Sequence, residues 1–533
     1  MRLPRGVCCR EGTPAGLRLA CRLTCQRSVR LAGWWLRPAP WRWWALLVVV
    51  PALVACLPVP DVQVPLLVQP PSYRVPLEQV AVETVWLETP AAPDTPSELN
   101  RAGVRRTHVP GVPTRVVVIA VPGLFGGAAG FDPLARQLVA SEPGVELWAV
   151  DRRANLLEDR EGIQRALAAD DPEVARAYYA RGGEFEPLDP ASVPFMARWG
   201  LEVHLRDLHV VVLAARAVAD VVVLAGHSLG AGMVSVYPAA RIALEHGGGL
   251  GEDHVDGLLL LDGSIGRTGA FGWVEQRVGA FGVTLVPTVS DLESGRVSPF
   301  LRTRLGFGPD LYLDHVVAAV YAALRPDELA PPALSTYPVT NRARAGILAD
   351  DEYAFTPIFS ASVGEAVGAR FAGNLTAFVL TGADGARSRT VVGVADGAEY
   401  VDWSAGDPSR EVTDLDDVIA GFLDPDSDVR EWYFPLRLGV DLASLDPRLE
   451  RAPGFVPMER IELPALAIGA GRGLITSPVG FQSYVNTRPG APIAVTVIPG
   501  LTHYDIVMAR ANPTVPIVLR WLRSEGWLPP RPR

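Results

Sequence analysis

The chain has 533 residues, 49% hydrophobic and 20% charged. That is long enough for one large domain with an insertion, or for two domains, and too apolar to stay disordered. All its basic residues are Arg; nine of the 49 precede residue 56 with one acid, Glu11, leaving 40 Arg against 58 acids, near −18, in the remainder. So acidic a body repels phosphate backbones and argues against a nucleic-acid role. All five cysteines (Cys8, Cys9, Cys21, Cys25 and Cys56) fall in the first 56 residues, so the body has no disulfide and no thiolate metal site.

At the front, Arg37 and Arg42 precede an apolar run from Trp43 to Ala55, followed by Cys56. The run falls short of the roughly 20 residues that span a bilayer but fits the core of a signal peptide over residues 1–55. Leu53-Val54-Ala55-Cys56 resembles the lipobox of bacterial lipoproteins. The resemblance implies cleavage before Cys56, a lipid on its thiol, and a place at the bacterial cell envelope, held to the membrane by that lipid. An uncleaved N-terminal anchor helix with an incidental Cys56 is an alternative, as is a start of translation later than Met1. Residues 56–80 read as a Pro-rich tether.

Two opening strands are predicted at Val82–Leu87 and around Arg105–Val109. The run Arg115–Val121 is continuously apolar, as in a strand buried on both faces of a sheet. A glycine turn, Pro122-Gly-Leu-Phe-Gly-Gly127, leads into a helix at Asp132–Ala140, and Val145–Val150 is the next strand. A helix from Phe195 to Ala217, a strand at Val221–Ala225, a helix from Leu229 to Glu245 and a strand at Gly257–Leu261 follow. About two hundred residues then lack clear alternation. It resumes with strands at Ala465–Ile468 and Ile493–Ile498 and a closing helix near Pro513–Arg523. Strands alternating with helices predict an α/β fold with a mostly parallel sheet covered on both faces. The predicted organisation is a core at 81–263 and 463–533, interrupted by a cap at 264–462. The cap aromatics Trp273, Phe300, Tyr312, Phe355, Trp403, Trp432, Tyr433 and Phe434 suit a pocket wall or plain packing among helices.

Gly226-His227-Ser228-Leu229-Gly230 follows an apolar strand directly and opens a helix. Gly-x-Ser-x-Gly alone is weak evidence, but this context is what a nucleophile elbow requires, a tight turn that lifts Ser228 above the sheet edge. Over roughly Val82–Gly263 and Leu463–Arg523 the chain resembles the α/β-hydrolase superfamily, of lipase and esterase type. That resemblance implies a Ser-His-acid triad. His503, in Gly500-Leu-Thr-His503 after the last strand, occupies the family's place for the base; the other reading is a loop histidine that caps the next helix. His204 and His209 do not share a helical face as metal ligands would. His108, His246, His254 and His315 have no supporting context.

The acid is less obvious. The commoner family place for the acid follows the seventh strand, here Leu466–Leu474, and no Asp or Glu occurs there before the next helix, a departure from that pattern. The family's alternative place, as in pancreatic-type lipases, is the end of the sixth strand, where Leu258–Leu261 runs into Asp262. Asp505, which also reads as a helix cap, and an acid of the cap remain alternatives. Two backbone N–H groups should form the oxyanion hole: Leu229, and Leu124 or Phe125 of the glycine turn.

Asp424-Pro-Asp426-Ser-Asp428 lacks the glycine and closing glutamate of a calcium loop and is read as a helix start. Asp350-Asp351-Glu352 is read as a solvated acidic patch, and Asp151-Arg152-Arg153 as a structural ion pair near the pocket. Neither a metal nor a cofactor is expected. The resulting expectation is a serine hydrolase of carboxylic esters, with a small-molecule or lipid ester as substrate. A Ser nucleophile argues against the dehalogenase and epoxide hydrolase branches. An acyltransferase using the same triad, or an inactive hydrolase-fold binding lipoprotein, are the rivals.

Overall fold

The computed structural model describes residues 70–244, 247–265, 288–302, 309–354, 360–373 and 389–530. Residues 1–55, Cys56, His246, Trp273 and Phe355 lie outside them. No helix among the described residues is long and apolar enough to cross a membrane.

Eight strands make the main sheet: β1 (Ala81–Glu88), β2 (Arg101–His108), β3 (Val116–Val121), β4 (Val145–Asp151), β5 (Val221–His227), β6 (Gly257–Leu261), β7 (Ala465–Arg472) and β8 (Ile493–Thr502). Their spatial order is β1-β2-β4-β3-β5-β6-β7-β8. Strand β2 runs antiparallel to both neighbours, and every other pairing is parallel. Every residue of β3, β4 and β6 is buried, the physical reason for the unbroken apolar runs of β3 and β6; in β4 the buried Glu146 and Asp151 are hydrogen-bonded. Parallel neighbours need crossovers, and helices Asp132–Ser141, Leu201–Arg216, Leu229–Val236 and Thr514–Ser524 pack against the sheet.

Two helices differ from the sequence reading. The one predicted from Phe195 breaks into a 3-10 turn, Pro194–Arg198, and a helix starting at Leu201. Gly200 marks the break: a β-carbon there would lie 2.2 Å from the Asp441 carboxylate, which accepts the Leu201 N–H. The helix from Leu229 stops at Val236 rather than Glu245, and Pro238, which has no N–H to continue the ladder, sits in the 3-10 turn that follows.

Between β6 and β7 the chain forms helices Val289–Glu293, Pro309–Leu324, Asn341–Ala349, Leu415–Leu423 and Leu436–Ser444, with two short antiparallel ribbons. Val316, Val320, Trp432 and Phe434 of this insertion belong to the same buried cluster as Val118 and Leu260 of the sheet. A smaller cluster gathers around Val339 and Val401.

Candidate active site

Strand β5 ends at His227, and Ser228 follows with φ 57° and ψ −122°, a backbone conformation costly for a residue with a side chain. Glycine makes the turn possible. A β-carbon on Gly226 would sit 2.4 Å from the Gly230 carbonyl oxygen, and one on Gly230 would sit 2.1 Å from that of Val121. The Ser228 N–H donates to the Leu261 carbonyl at 3.0 Å, tying the turn to the end of β6. Helix Leu229–Val236 begins at once, so the Leu229 N–H has no carbonyl within the helix to accept it.

Asp262 leaves β6 with φ 47° and is fully buried. Its carboxylate accepts from the N–H groups of Ala470 (3.0 Å), Leu474 (2.8 Å) and Ile475 (2.9 Å) and lies 2.6 Å from His503 Nδ1. Burial by itself raises a carboxyl's pKa. Here the hydrogen bond and charge of His503, with the backbone donors, outweigh it and hold Asp262 below the usual value. The acid-free stretch after β7 thus has a role: its backbone N–H groups cradle the acid of β6. Gly473 leaves the space, since a β-carbon there would lie 2.2 Å from Asp262 Oδ2.

His503 follows β8 directly and is 2% exposed. The ring of His227, the residue before Ser228, packs 4.4 Å from that of His503, and its Nε2 lies 2.8 Å from the His503 carbonyl oxygen. Burial, helped by the His503 charge, lowers His227 to about 3, so it stays neutral and donates to that carbonyl.

A sheet in this order with β2 alone reversed, and a strand–turn–helix elbow after β5, decide the fold. The chain has the α/β-hydrolase fold. No family model matches it, and no curated protein does. Among solved structures it is similar to a lipase candidate from Sulfolobus solfataricus, at 15% identity over 84% of this chain and 95% of that one, TM-score 0.42. It is also similar to a thermophilic esterase from Thermogutta terrifontis (11%, 83% and 98%, TM-score 0.34). A third is a soluble variant of monoglyceride lipase from Saccharomyces cerevisiae (12%, 86% and 99%, TM-score 0.34). Likenesses this remote say nothing of activity; the fold rests on the strand order itself.

As an α/β-hydrolase fold, the chain sets the turn after β3 against the elbow. A β-carbon on Gly123 would lie 2.6 Å from Ser228 Cβ, so only glycine fits. Phe125 takes φ 57°, and the Gly126 N–H closes back on the Gly123 carbonyl. Behind the turn, Arg152 donates to the carbonyls of Pro122, Gly123 (3.0 Å) and Gly126 (3.3 Å) and pairs with Glu431 at 2.9 Å. The insertion strap Ser427–Glu431 closes over it: Glu431 N–H donates to Phe125 O, Gly127 N–H to Val429 O, and Ala129 N–H to Ser427 Oγ. Burial raises Glu431 to about 7, with Arg152 opposing. The aromatics Tyr312 and Phe434 pack on Phe125, at 5.5 and 6.0 Å between ring centres. Trp432 and Tyr433 pack elsewhere, against Phe185 and Phe300. Trp403 meets Tyr353 in the second cluster.

Asp505 is buried away from His503's Nδ1. Its carboxylate accepts from Ser362 N–H and Oγ, Thr413 Oγ1 and Thr502 N–H, a clamp between insertion and core. His204 lies 2.8 Å from Gly200 O, and burial lowers it to about 3. His209 is held between Tyr237 Oη and Gly247 O. His254 packs on His209, His108 lies 3.6 Å from Glu83, and His315 meets Leu348 O.

Three sequence readings are corrected. Asp350-Asp351-Glu352 is no solvated patch: Asp350 is fully buried and Glu352 7% exposed. Asp350 accepts from Glu352 and Val363 N–H, Glu352 pairs with Arg389 and Arg410, and Asp351 with Arg472. Carboxylate oxygens of Asp350, Asp351 and Glu411 lie within 4.8 Å of one another, the one such group among the described residues. Asp424 caps the end of helix Leu415–Leu423 and accepts from Asp426 and Ser427 N–H; no helix starts there. Asp151, Arg152 and Arg153 do not pair with one another, because successive residues leaving a strand point different ways. Asp151 accepts from Ala128 N–H, Arg152 pairs with Glu431, and Arg153 with Asp207.

The sequence reading missed Arg152's hold on the turn, the room made by Gly473 and the strap. Gly473 alone had a local signal, as part of a glycine-rich stretch after a strand.

Proposed function

We propose that this chain hydrolyses carboxylic esters through an acyl-enzyme on Ser228. The observation that carries the reading is the 2.6 Å contact between His503 Nδ1 and a buried Asp262 carboxylate, beside the strained Ser228 elbow. In this scheme Ser228 Oγ attacks the ester carbonyl as His503 Nε2 takes the hydroxyl proton. Asp262 fixes the imidazole with its proton on Nδ1 and balances the positive ring. The carbonyl oxygen, now negative, is met by the N–H of Leu229 and of Leu124, each donor lowering the barrier by roughly 3 kcal/mol. The tetrahedral species collapses, the alcohol leaves with the proton from His503, and water repeats the sequence to release the acid and free Ser228. Nothing in this scheme calls for a metal or cofactor. Anchoring at the cell envelope through a lipid on Cys56 is proposed from the sequence alone.

The test is release of p-nitrophenol from short- and long-chain esters, with labelling by a fluorophosphonate probe. Both should vanish in Ser228→Ala. A folded wild-type protein that neither turns over nor labels would refute the reading and favour a binding role.

A further inference from the structure

Arg430 lies in the strap of the insertion. Its backbone forms a bridge with Gly126 of the turn that faces Ser228. Its guanidinium reaches the other side, with Cζ 4.2 Å over the ring of Tyr504, the residue after His503. The Tyr504 ring lies 5.2 Å from that of His227 and 5.8 Å from that of His503. One side chain therefore spans from the oxyanion turn to the base, the two elements between which a scissile ester would lie.

The arginines around it all have carboxylate partners: Arg105 with Asp132 and Asp424, Arg152 with Glu431, Arg153 with Asp207, and Arg160 with Asp428. Arg430 has none among the described residues, and its Nη1 is buried without a hydrogen-bond partner there. The groups its charge reaches are neutral. Burial raises the Tyr312 phenol well above its usual value against the pull of Arg430, and burial, with Arg430 among the lesser causes, keeps His227 uncharged. A guanidinium nitrogen withdrawn from water without an acceptor is costly. Its planar fork of donors is suited to a carboxylate or phosphate.

We infer that Arg430 selects esters that carry an anionic group, a carboxylate or a phosphate, close to the scissile bond. This rests on the hydrolase reading above and adds the substrate class. The anion takes the place of the missing carboxylate partner, and the strap that carries Arg430 orients it over Tyr504.

The test compares p-nitrophenyl pentanoate with the p-nitrophenyl monoesters of glutarate and of 4-phosphonobutyrate, on the full chain. Wild type should favour at least one anionic ester in kcat/KM by roughly 10- to 100-fold, and the better of the two identifies carboxylate or phosphate. In Arg430→Gln that ratio should fall close to one, mainly through KM, and Arg430→Lys should keep part of it. A merely structural stacking role for Arg430 would lower all three esters together and leave the ratio unchanged, which overturns the inference. So does a wild type without preference. If Arg430→Gln does not fold, competitive inhibition of pentanoate turnover by free glutarate or phosphonobutyrate decides, and absence of inhibition by both overturns it. Failure on all three esters, without fluorophosphonate labelling, refutes the hydrolase reading itself; pentanoate turnover without anion preference refutes only this inference.

Discussion

Arg152 and Glu431, 279 positions apart, form an ion pair with both side chains almost wholly buried. The same guanidinium holds three carbonyls of the turn opposite Ser228. The pair therefore fastens an insertion segment to the turn that faces Ser228.

Removing one partner leaves the other charge buried alone, which costs about 3–5 kcal/mol. Arg152→Met should lower stability by that order at pH 8, measured by urea unfolding. In whatever fraction folds, kcat should fall more than KM rises, because the loosened turn acts on the transition state. An Arg152→Met, Glu431→Leu double variant should recover stability and not kcat.

Asp262→Asn should lower kcat by about 10⁴, as expected when the base loses its correct tautomer. Asp505→Asn should mainly lower the melting temperature, because its carboxylate clamps Ser362, Thr413 and Thr502. Equal rate losses in the two variants would remove Asp262 from its assigned role.

Gly473→Ala puts a methyl group 2.2 Å from Asp262 Oδ2. The carboxylate must shift, and a misplacement of about 1 Å costs on the order of 10²-fold in rate. Circular dichroism should show the fold retained while ester turnover falls. Unimpaired turnover would show that the contact with His503 tolerates the shift.

Burial raises Glu431 to about 7, Asp151 to about 6 and Glu411 to about 8. Each binds its proton more tightly folded than unfolded, so its contribution to stability is full below its ordinary carboxyl pKa. It is lost as pH rises through 6 to 8, at up to about 1.4 kcal/mol per pH unit per group. Asp262, held below its usual value, acts oppositely and withdraws stability only in acid, as pH falls through its folded-state pKa. The neutral buried His204 and His227 add stability as pH rises to their ordinary value of about 6.5, so unfolding free energy should decline from about pH 6.5 to 8. Glu431→Gln should flatten that slope, and an unchanged slope would count against the buried carboxyl.

Local pattern was sufficient for the sheet. Strand Val116–Val121 and the elbow at Ser228 were legible because a doubly buried strand must be apolar throughout and a tight turn must have glycine. Helix ends were less legible, as at Gly200 and Val236, since they depend on Asp441 and on a proline's missing donor. The surroundings of Asp350 were misread because burial of a carboxylate depends on distant Arg partners, not on its neighbours in sequence.

Sequence by itself therefore determined the α/β order of elements, and it singled out Ser228, Asp262 and His503 as residues to watch. Only the tertiary structure decided that Asp262 rather than Asp505 meets His503, that the glycine turn after β7 supplies its donors, and that Arg152 and Arg430 converge on the turn facing Ser228. The reason is range. Periodicity and turn chemistry act over a few residues, whereas the Asp262 contacts join segments 208 to 241 positions apart, Arg152 meets Glu431 across 279 positions, and all of these exist only once the sheet has brought its strand ends together.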